Sequence, residues 1–526
     1  MPAADLLLSG GSIWRGKGLG RVEALAIAAG RVVAAGDRAS VLDACGPETR
    51  RLDLGGGFAL PAFNDPHLHL ATLGFSLGEL NLRGCSAGRL LEMTAQAVAG
   101  ARPGQWITGR GFDEAALGAP LTLSQLDAAA PANPVLLRRV CGHQFMVNSA
   151  ALALAGIDAS TPDPQGGVIE REAGRATGSL LEEAGQLAVR AMPRPSLTDF
   201  KAAVGRAATL LVSQGITSVM DAAVGRAGYD ELAALTGVAA REELPLRTWV
   251  CLYGGDGGQL ERAFSEGLRF GTAIGRLRFG AAKLFADGSV GSGTAAFIQP
   301  YLDGGHGLLN FSDAEMREKL RRFHELGYQL AIHAIGDAAI EQVLSAMEQL
   351  PAAEVAARRH RIEHCGFATR GQLARMHRCG IMLVPQPILV SSFGDRFADL
   401  LGQERVDSAY PMRLWDEMGF AISASSDAPI ANSDPLASVR SMVERRTAKG
   451  TLFGAGQRLD LETALDAQTR GGAVTQLAET HLGTLAVGML ADIAVLDRDP
   501  FSAGVAPDDI HVVGTIRGGE PLHWLV

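Results

Sequence analysis

Six side chains of the kinds that bind metal ions lie at or near the ends of apolar, strand-like runs in this sequence. They are His67, His69, Lys283, His333, His364 and Asp427. His67 and His69 are two residues apart, and residues two apart in a β-strand project to the same face of the sheet. A single strand histidine is more often an ordinary core or surface residue, but six candidates at strand ends predict a metal centre.

The histidines supply neutral imidazoles, which are common zinc ligands. His67 and His69 can bind one ion from a single strand, while His333 and His364 end two later strands and can bind a second. Asp427 ends the last predicted strand, and its carboxylate can both contact a metal ion and transfer a proton. We therefore predict Asp427 as the catalytic residue.

Lys283 is unusual in this set, because an ammonium group close to two dications is strongly repelled. Either the side chain avoids the metal ions or it is no longer an amine. Carboxylation by CO₂ would convert the amine into a carbamate anion with one oxygen for each of two metal ions. The alternative is a lysine that forms a core ion pair or faces the substrate.

The middle of the chain alternates between strand-like and helix-like segments, which predicts parallel strands joined by crossover helices. Eight runs have the character of strands, namely 58–70, 215–221, 246–252, 277–285, 329–333, 361–364, 381–385 and 420–425. Eight such units fit an α/β fold of the (β/α)₈ TIM-like barrel type, in which the active site lies at the carboxyl ends of the strands.

Both ends of the chain have the short, glycine-broken β pattern of a small antiparallel sheet. We predict one β domain from residues 1–60 and 475–526, and a barrel from residues 61–474. Two unrelated β edges of the barrel domain are the alternative. Residues 85–195 do not alternate in this way, and we interpret them as a cap insertion after the first strand or as an independent small domain.

Composition excludes several classes of protein. The 526 residues are 47% hydrophobic, which is typical of a globular enzyme. No apolar run is long enough to cross a membrane, and the chain does not begin with a signal peptide, so a cytoplasmic enzyme is expected. A net charge of −9 gives no basic surface for nucleic acid or for an anionic membrane. The expected partner is a small molecule, and a homo-oligomer is possible.

The six cysteines are scattered, without any Cys-x-x-Cys pair. This spacing argues against both a disulfide framework and a thiolate zinc site.

The ordered set of six residues resembles the amidohydrolase superfamily. More narrowly, the chain is similar to the amidohydrolase family 3 group, which includes N-substituted formamide deformylase. Further motifs carry this resemblance: 148–152 (NSAAL), 166–167 (GG), 177–178 (TG), 283–289 (KLFADGS), 361–364 (RIEH), 426–429 (SDAP), 483–485 (GTL) and Gly488-x-x-Ala491-Asp492. The first-strand run departs from many relatives at Asn64 and Pro66, and Phe112 stands where a tryptophan is common in the group.

The resemblance implies a composite β-sandwich from both termini and a centre with two divalent metal ions, zinc being expected. It implies His67, His69 and Asp427 on the first ion, His333 and His364 on the second, and carboxylated Lys283 between them. The implied activity is hydrolysis of a non-peptide C–N amide bond in a small N-acyl or N-formyl amine, through a metal-bound hydroxide. The alternatives are a deaminase with one metal ion, an esterase or lactonase on the same barrel, and a metal-free binding barrel.

Eight residues are predicted to bind substrate or to support the site, from the group's pattern or from position. They are His143, Asn148, Trp106, Phe112, Glu182, Asp287, Gln386 and Arg413. Phe285 is a further candidate for the lining of the substrate site. Asp287 and Glu363 lie near predicted ligands and are candidates for hydrogen bonds to them, because a metal-binding histidine usually gives its second N–H to a carboxylate or carbonyl. Asp221 is a further residue that could support the site or contact substrate.

Overall fold

The computed structural model describes residues 3–139, 144–164, 167–226, 230–505 and 507–525, the side chains of residues 114 and 115 excepted. The chain forms two compact units. One consists of Met1–Leu73 with Val204–Val526, and the other is Gly74–Ala203. The range of the second unit includes the predicted insertion, residues 85–195.

Seven parallel strands form a TIM-like barrel in the first unit. We number them β1 to β7 in chain order: Phe63–Leu68, Ile216–Val224, Arg247–Tyr253, Leu277–Phe285, Gln329–Ala334, Arg361–His364 and Met382–Val384. Each strand pairs in parallel with the next one along the chain. Every residue of β2 and β5 is buried, as expected for strands covered on both faces.

The predicted eighth strand, residues 420–425, is wrong, because this segment pairs with neither neighbour as a strand. Its contacts with the β7 side include side-chain bonds in place of a regular ladder. The hydroxyls of Ser423 and Ser425 donate to the carbonyls of Leu383 and Pro385 at 2.9 and 2.8 Å. Serine hydroxyls thus donate some of the hydrogen bonds that backbone N–H groups would donate in a regular strand.

The other side of the closure is bonded to the chain at the end of β1. The backbone N–H of Asp427 donates to the carbonyl of His67 at 2.8 Å, and that of His69 donates to the carbonyl of Ala428 at 2.8 Å. The segment that carries Asp427 therefore lies directly beside the two first-strand histidines, although it forms no regular strand.

The predicted run 58–70 contributes to two sheets and one helix. Phe58–Pro61 pairs with the C-terminal strand Ile493–Leu496, whereas Phe63–Leu68 is β1 of the barrel. The helix Leu70–Ser76 begins directly after His69. The single apolar run therefore ends one sheet and starts another, with Ala62 between them.

Two further sheets in the first unit contain the chain termini. One has the order Arg31–Gly36, Ala24–Ala28, Ala4–Ser9 and Cys45–Asp53, with the helix Arg38–Leu42 before its last strand. The other has the order Glu520–Trp524, Val512–Arg517, Ile493–Leu496, Phe58–Pro61, Ser12–Trp14 and Arg21–Val22. Leu6, Leu25 and Ile493 belong to one buried cluster with residues of both sheets, so the two sheets share a core.

Helices connect the barrel strands and the segments around them. Those of the first unit are Glu231–Ala240, Leu260–Ser265, Asp313–Glu325, Asp337–Met347, Ala352–Arg358, Arg370–Cys379, Ile388–Leu401, Gln403–Asp407, Met412–Glu417, Pro435–Glu444, Leu461–Asp466 and Gly472–Thr475. Ala467–Gly471 is a π-helical turn, Ala455–Gln457 and Pro507–Asp509 are 3₁₀ turns, and the short strand Ala273–Ile274 pairs with β4. Within the described residues, no helix is both long enough and apolar enough to cross a bilayer.

The second unit is a mixed sheet with helices. Its strand order is Gly167–Glu172, Arg175–Glu182, Gln144–Val147, Val135–Arg139, Ile107–Phe112 and Leu80–Asn81. Its helices are Ala87–Ala99, Glu114–Leu117, Leu123–Ala129, Ser149–Leu154 and Glu183–Ala191, and Leu197–Ser213 runs from this unit into the first.

A buried chain of hydrogen bonds joins β5 to two helices of the barrel. The backbone N–H of Leu330 donates to Nδ1 of His360 at 3.1 Å, and Nε2 of His360 lies 2.9 Å from Nδ1 of His324. Nε2 of His324 lies 3.1 Å from a carboxylate oxygen of Glu354. Since Nδ1 of His360 accepts, its Nε2 carries the proton, and every bond in the chain then points toward Glu354. Burial lowers the pKa of His360 to about 3.

The depressed pKa of His360 predicts a loss of stability in acid. In the unfolded chain this histidine has a pKa of about 6.5, so its contribution is complete above pH 6.5 and is lost as the pH falls toward 3. His360→Gln should therefore lose less unfolding free energy than the wild type between pH 7.5 and 5, measured by urea denaturation. His377→Gln, at an exposed histidine, should keep the wild-type slope; equal slopes for all three proteins would contradict the prediction.

Candidate metal centre

His67, His69 and Asp427 form a cluster whose ligand atoms lie within 4.8 Å of one another. Oδ1 of Asp427 is 3.2 Å from Nε2 of His69 and 3.5 Å from Nε2 of His67. Two imidazole nitrogens and one carboxylate oxygen are a common ligand set for a catalytic zinc ion, which leaves a further position for water or substrate. The arrangement therefore fits one divalent cation.

The two other predicted histidine ligands extend this cluster. The ring of His364 lies 5.0 Å from that of His67 and 4.4 Å from that of His333, measured between centroids. The ring of His69 lies 5.8 Å from that of His67 on the other side. Four imidazoles from β1, its C-terminal end, β5 and β6 thus form one continuous row.

Lys283 lies in the interior, with 0% of its surface exposed. Its Nζ has no hydrogen-bond partner among the described residues, and it lies 4.8 Å from the centroid of the Phe285 ring. A buried polar atom without a partner is costly and calls for an unseen ligand. The Lys283 charge acts on His67, His364 and Asp427, so the side chain faces the same centre.

Two of the predicted ligands have left-handed backbone conformations, which are uncommon outside glycine. φ is +69° at His364 and +57° at Asp427. In a regular strand, His364 would lie on the face opposite Glu363. Its left-handed conformation ends this alternation at the last residue of β6. Such conformations cluster at functional sites, where the surrounding structure enforces them.

A buried ion pair holds His67 in position. Nδ1 of His67 forms a short hydrogen bond with a carboxylate oxygen of Glu363. The guanidinium of Arg361 donates to both oxygens of that carboxylate, and its Nη2 also donates to the carbonyl of Pro66 at 2.8 Å. With Nδ1 occupied, Nε2 of His67 is the nitrogen left to bind a metal ion.

Arg361 was not among the residues predicted from the sequence, whereas Glu363 was a candidate. Burial alone raises the pKa of the Glu363 carboxyl, but Arg361 and His67 lower it far below its usual range. Glu363 is therefore a carboxylate at every physiological pH. The sequence feature that indicates this ion pair is two opposite charges, two residues apart, on a predicted barrel strand.

Asp287 anchors the loops that follow β4 and β5. Its carboxylate accepts the backbone N–H groups of Ala296, Ile335 and Gly336 at 2.9, 3.1 and 2.9 Å. One of its oxygens lies 3.3 Å from Nε2 of His333. Asp287, predicted to support the site or to bind substrate, thus contacts a predicted histidine ligand and the loops beside it.

Burial disfavours the charged form of three basic groups of the centre, His67, His364 and Lys283. Burial and the Lys283 charge lower the pKa of His67 to about 4. Burial and the neighbouring His333 and His67 lower the pKa of His364 well below its usual value, and burial also lowers the pKa of the Lys283 amine. Metal ions bind the neutral form of imidazole, so the lowered pKa values of His67 and His364 favour metal binding over protonation at these two rings.

Two further buried carboxyl groups lie on β1 and β2, the first two strands of the barrel. Asp65 accepts the backbone N–H groups of His67 and Ser426 at 3.1 and 3.2 Å, which links β1 to the closing segment. Burial raises the pKa of Asp65 to about 7. Burial and the charge of Glu231 likewise raise the pKa of Asp221 to about 7. Asp65 was not predicted as a functional residue, because its role depends on the closing segment.

Three predicted substrate residues of the second unit make contacts that stabilise the fold. Oδ1 of Asn148 accepts the N–H groups of Val135 and Ala151, and its amide donates to two carbonyls. The polar atoms of Asn148 are thereby satisfied, which does not support a substrate role. Phe112 is buried in a hydrophobic cluster, and Trp106 packs against another.

The remaining candidates occupy varied positions. Arg413, predicted to bind substrate or to support the site, is exposed and pairs with Glu417 on the same helix. Gln386 is buried, and its amide nitrogen donates to the carbonyl of Val384 and the hydroxyl of Ser425. Glu182 is exposed and has φ of +52° directly before a helix. His143 lies outside the described residues.

Glu363→Gln should weaken metal binding by about 10- to 100-fold, the usual cost of losing a partner of a metal-binding histidine. It should also lower the melting temperature, because the buried Arg361 then lacks its counter-charge. Titration against a chromophoric chelator measures the first effect, and thermal unfolding measures the second. Glu417→Gln, which breaks an exposed pair, is the matched control. Metal affinity unchanged by Glu363→Gln would refute the orienting role of this carboxylate.

The chain is similar to a known family and to several known proteins. The model of the amidohydrolase family matches residues 50–523. The chain is 31% identical to the N-substituted formamide deformylase of Arthrobacter pascens, over 91% of this chain and 90% of that protein. It is also 31% identical to the protein LONG AFTER FAR-RED 3 of Arabidopsis thaliana, over 99% of this chain and 92% of that protein.

A solved structure has the same overall fold. It is that of an uncharacterized metal-dependent hydrolase from Pyrococcus horikoshii, with a TM-score of 0.81 and 29% identity. The similarity covers 96% of this chain and 99% of the other. Together, these matches show that this chain belongs to the amidohydrolase family, hydrolytic enzymes that act on carbon–nitrogen bonds other than peptide bonds.

Proposed function

We propose that this enzyme hydrolyses the C–N amide bond of a small N-acyl or N-formyl amine. The observation that carries the proposal is the convergence of four imidazoles, the Asp427 carboxylate and the unpartnered amine of Lys283. The named activity of the Arthrobacter relative, N-substituted formamide deformylase, supports this choice of substrate class.

The centre is proposed to hold two divalent cations, with zinc preferred for its imidazole ligands. His67, His69 and Asp427 would hold one cation, and His333 and His364 the other. Bound cations supply Lewis acidity, which polarises a carbonyl and makes water more acidic. The remaining chemistry belongs to side chains of this protein.

Lys283 is proposed to bridge the two cation sites as a carbamate. Carboxylation requires the free amine, which attacks CO₂ and releases one proton as the N–C bond forms. Burial lowers the pKa of this amine and so favours the reactive neutral form. The carbamate would replace a repelled ammonium with an anion at the same position.

Asp427 is proposed to move the proton during hydrolysis. Burial alone would raise the pKa of its carboxyl, but His69 and His67 lower it below its ordinary value, so the group is ionised at neutral pH. A carboxylate oxygen can take a proton from the attacking water and return it to the departing nitrogen. Water thereby adds to the carbonyl carbon, the C–N bond breaks, and the products are a carboxylic acid and an amine.

We further propose that residues 1–60 and 475–526 form the composite β-sandwich implied by the family resemblance. The shared core of the two terminal sheets supports this assignment. Its role would be to fix the start of β1, and with it His67 and His69, because Phe58–Pro61 belongs to one of these sheets.

Asp427→Asn should retain metal and lower kcat by about 100- to 10,000-fold, since an amide keeps an oxygen but cannot carry the proton. Steady-state hydrolysis of N-formyl amines, with metal content measured on the same samples, checks both parts. Asp416→Asn, at an exposed helix position, should behave as the wild type. A normal rate in Asp427→Asn would exclude the proton-transfer role, and turnover of esters but of no amide would exclude the proposed reaction.

Metal analysis should find about two ions per chain in the wild type, as expected for a bridged centre. Lys283→Ala should bind fewer ions, and reconstitution of the metal-free wild type in CO₂-depleted buffer should have the same effect until bicarbonate is added. Lys449→Ala, at an exposed lysine, is the control. Full occupancy in Lys283→Ala would refute the bridge, and one ion in the wild type would favour a mononuclear centre.

A further inference from the structure

Arg226 is a cation at the edge of the candidate metal centre that the chemistry described so far does not use. It follows β2 by two residues and is exposed. The carboxyl ends of barrel strands are where substrates bind in this fold. Arg226 therefore lies on the side of the barrel where a substrate would approach.

Two aromatic contacts connect Arg226 to the centre. Its guanidinium carbon lies 4.1 Å from the centroid of the Phe285 ring. That ring in turn lies 5.2 Å from the ring of His333, because Phe285 and His333 are paired across β4 and β5. Nζ of Lys283 lies 4.8 Å from the same ring. The Phe285 ring thus contacts Arg226 and two of the predicted ligands, Lys283 and His333.

Among the described side chains, no carboxylate forms an ion pair with the Arg226 guanidinium, whereas many other arginines of the chain are paired. Arg262, for example, binds Asp230 and Glu266. Stacking on Phe285 holds the Arg226 group in place but leaves its N–H donors at the edge available.

An arginine that is fixed by stacking and lacks a counter-ion is suited to bind a carboxylate with two parallel hydrogen bonds. The protein carries a net charge of −9 and therefore repels small anions overall. A local cation beside the centre offsets this repulsion for a substrate that carries its own negative charge. Phe285, half-buried, offers apolar surface between this cation and the histidines.

We propose that Arg226 binds an anionic group of the substrate, so that the preferred substrates are N-acyl or N-formyl amines that also carry a carboxylate. N-acyl amino acids have this chemistry. The assignment rests on the proposed amide hydrolysis, which it narrows to one class of substrate. Arg226 acts in binding and specificity, and Phe285 positions it.

Paired substrates test the proposal. N-formylphenylalanine and its uncharged carboxamide differ in the carboxylate and are similar in size. The wild type should favour the acid by about 10- to 100-fold in kcat/KM, the usual value of one charged hydrogen-bonded pair. Arg226→Met should lose this preference through a higher KM for the acid, with little change for the carboxamide. Arg226→Lys should recover part of it, and Arg321→Met, at an exposed arginine paired with Glu318 and Glu325, should leave it intact.

An Arg226→Met variant that keeps the preference for the acid would overturn the proposal, and so would a wild type that has none. If the wild type hydrolyses neither compound, the reaction class is wrong, and binding then decides the role of Arg226. Benzenesulfonate, a weak metal ligand, should bind the zinc-loaded wild type more tightly than Arg226→Met by about 10-fold or more in calorimetry. Equal affinities would refute the anion site independently of turnover.

Discussion

The buried ion pair between Arg361 and Glu363 is the interaction on which the centre of this barrel depends. Both residues are fully buried, so each charge is tolerable only because the other is present. The pair connects β6 to the first strand twice, through the ring of His67 and through the carbonyl of Pro66. One electrostatic contact therefore sets both the alignment of two strands and the nitrogen that His67 offers to a metal ion.

Around this pair, the protein concentrates four imidazoles and one amine. Burial lowers the pKa of three of these bases, His67, His364 and Lys283. These buried bases lower the folding stability of the protein when no cation is bound, and bound cations would restore favourable electrostatics. Asp427 and Glu363 supply the opposite charge from two sides.

Much of the fold was predictable because its signals are local. Alternation of strand and helix indicated the barrel, and strand ends carrying His67, Lys283, His333 and His364 indicated its chemistry. The closing segment was predicted wrongly as a strand, since serine side chains replace part of its ladder and no periodicity reports that. Asp65 was missed because its bond to Ser426 joins residues 361 positions apart. Arg361 was missed although its charge lies two residues from that of Glu363, since its bond to the carbonyl of Pro66 joins residues 295 positions apart. The substrate residues remain predictions, and Asn148, chosen from the family pattern, also caps a helix.

The irregular closure of the barrel has a consequence for the protein when it is deprived of cations. The segment that carries Asp427 is fastened by a few serine and backbone bonds rather than by a full ladder, and it covers the outer edges of β1 and β7. In the proposed centre, a cation bound by Asp427 would therefore also hold this seam closed. A loosened seam would expose two strand edges, which are templates for intermolecular pairing. Removal of metal from the proposed centre would then also favour aggregation.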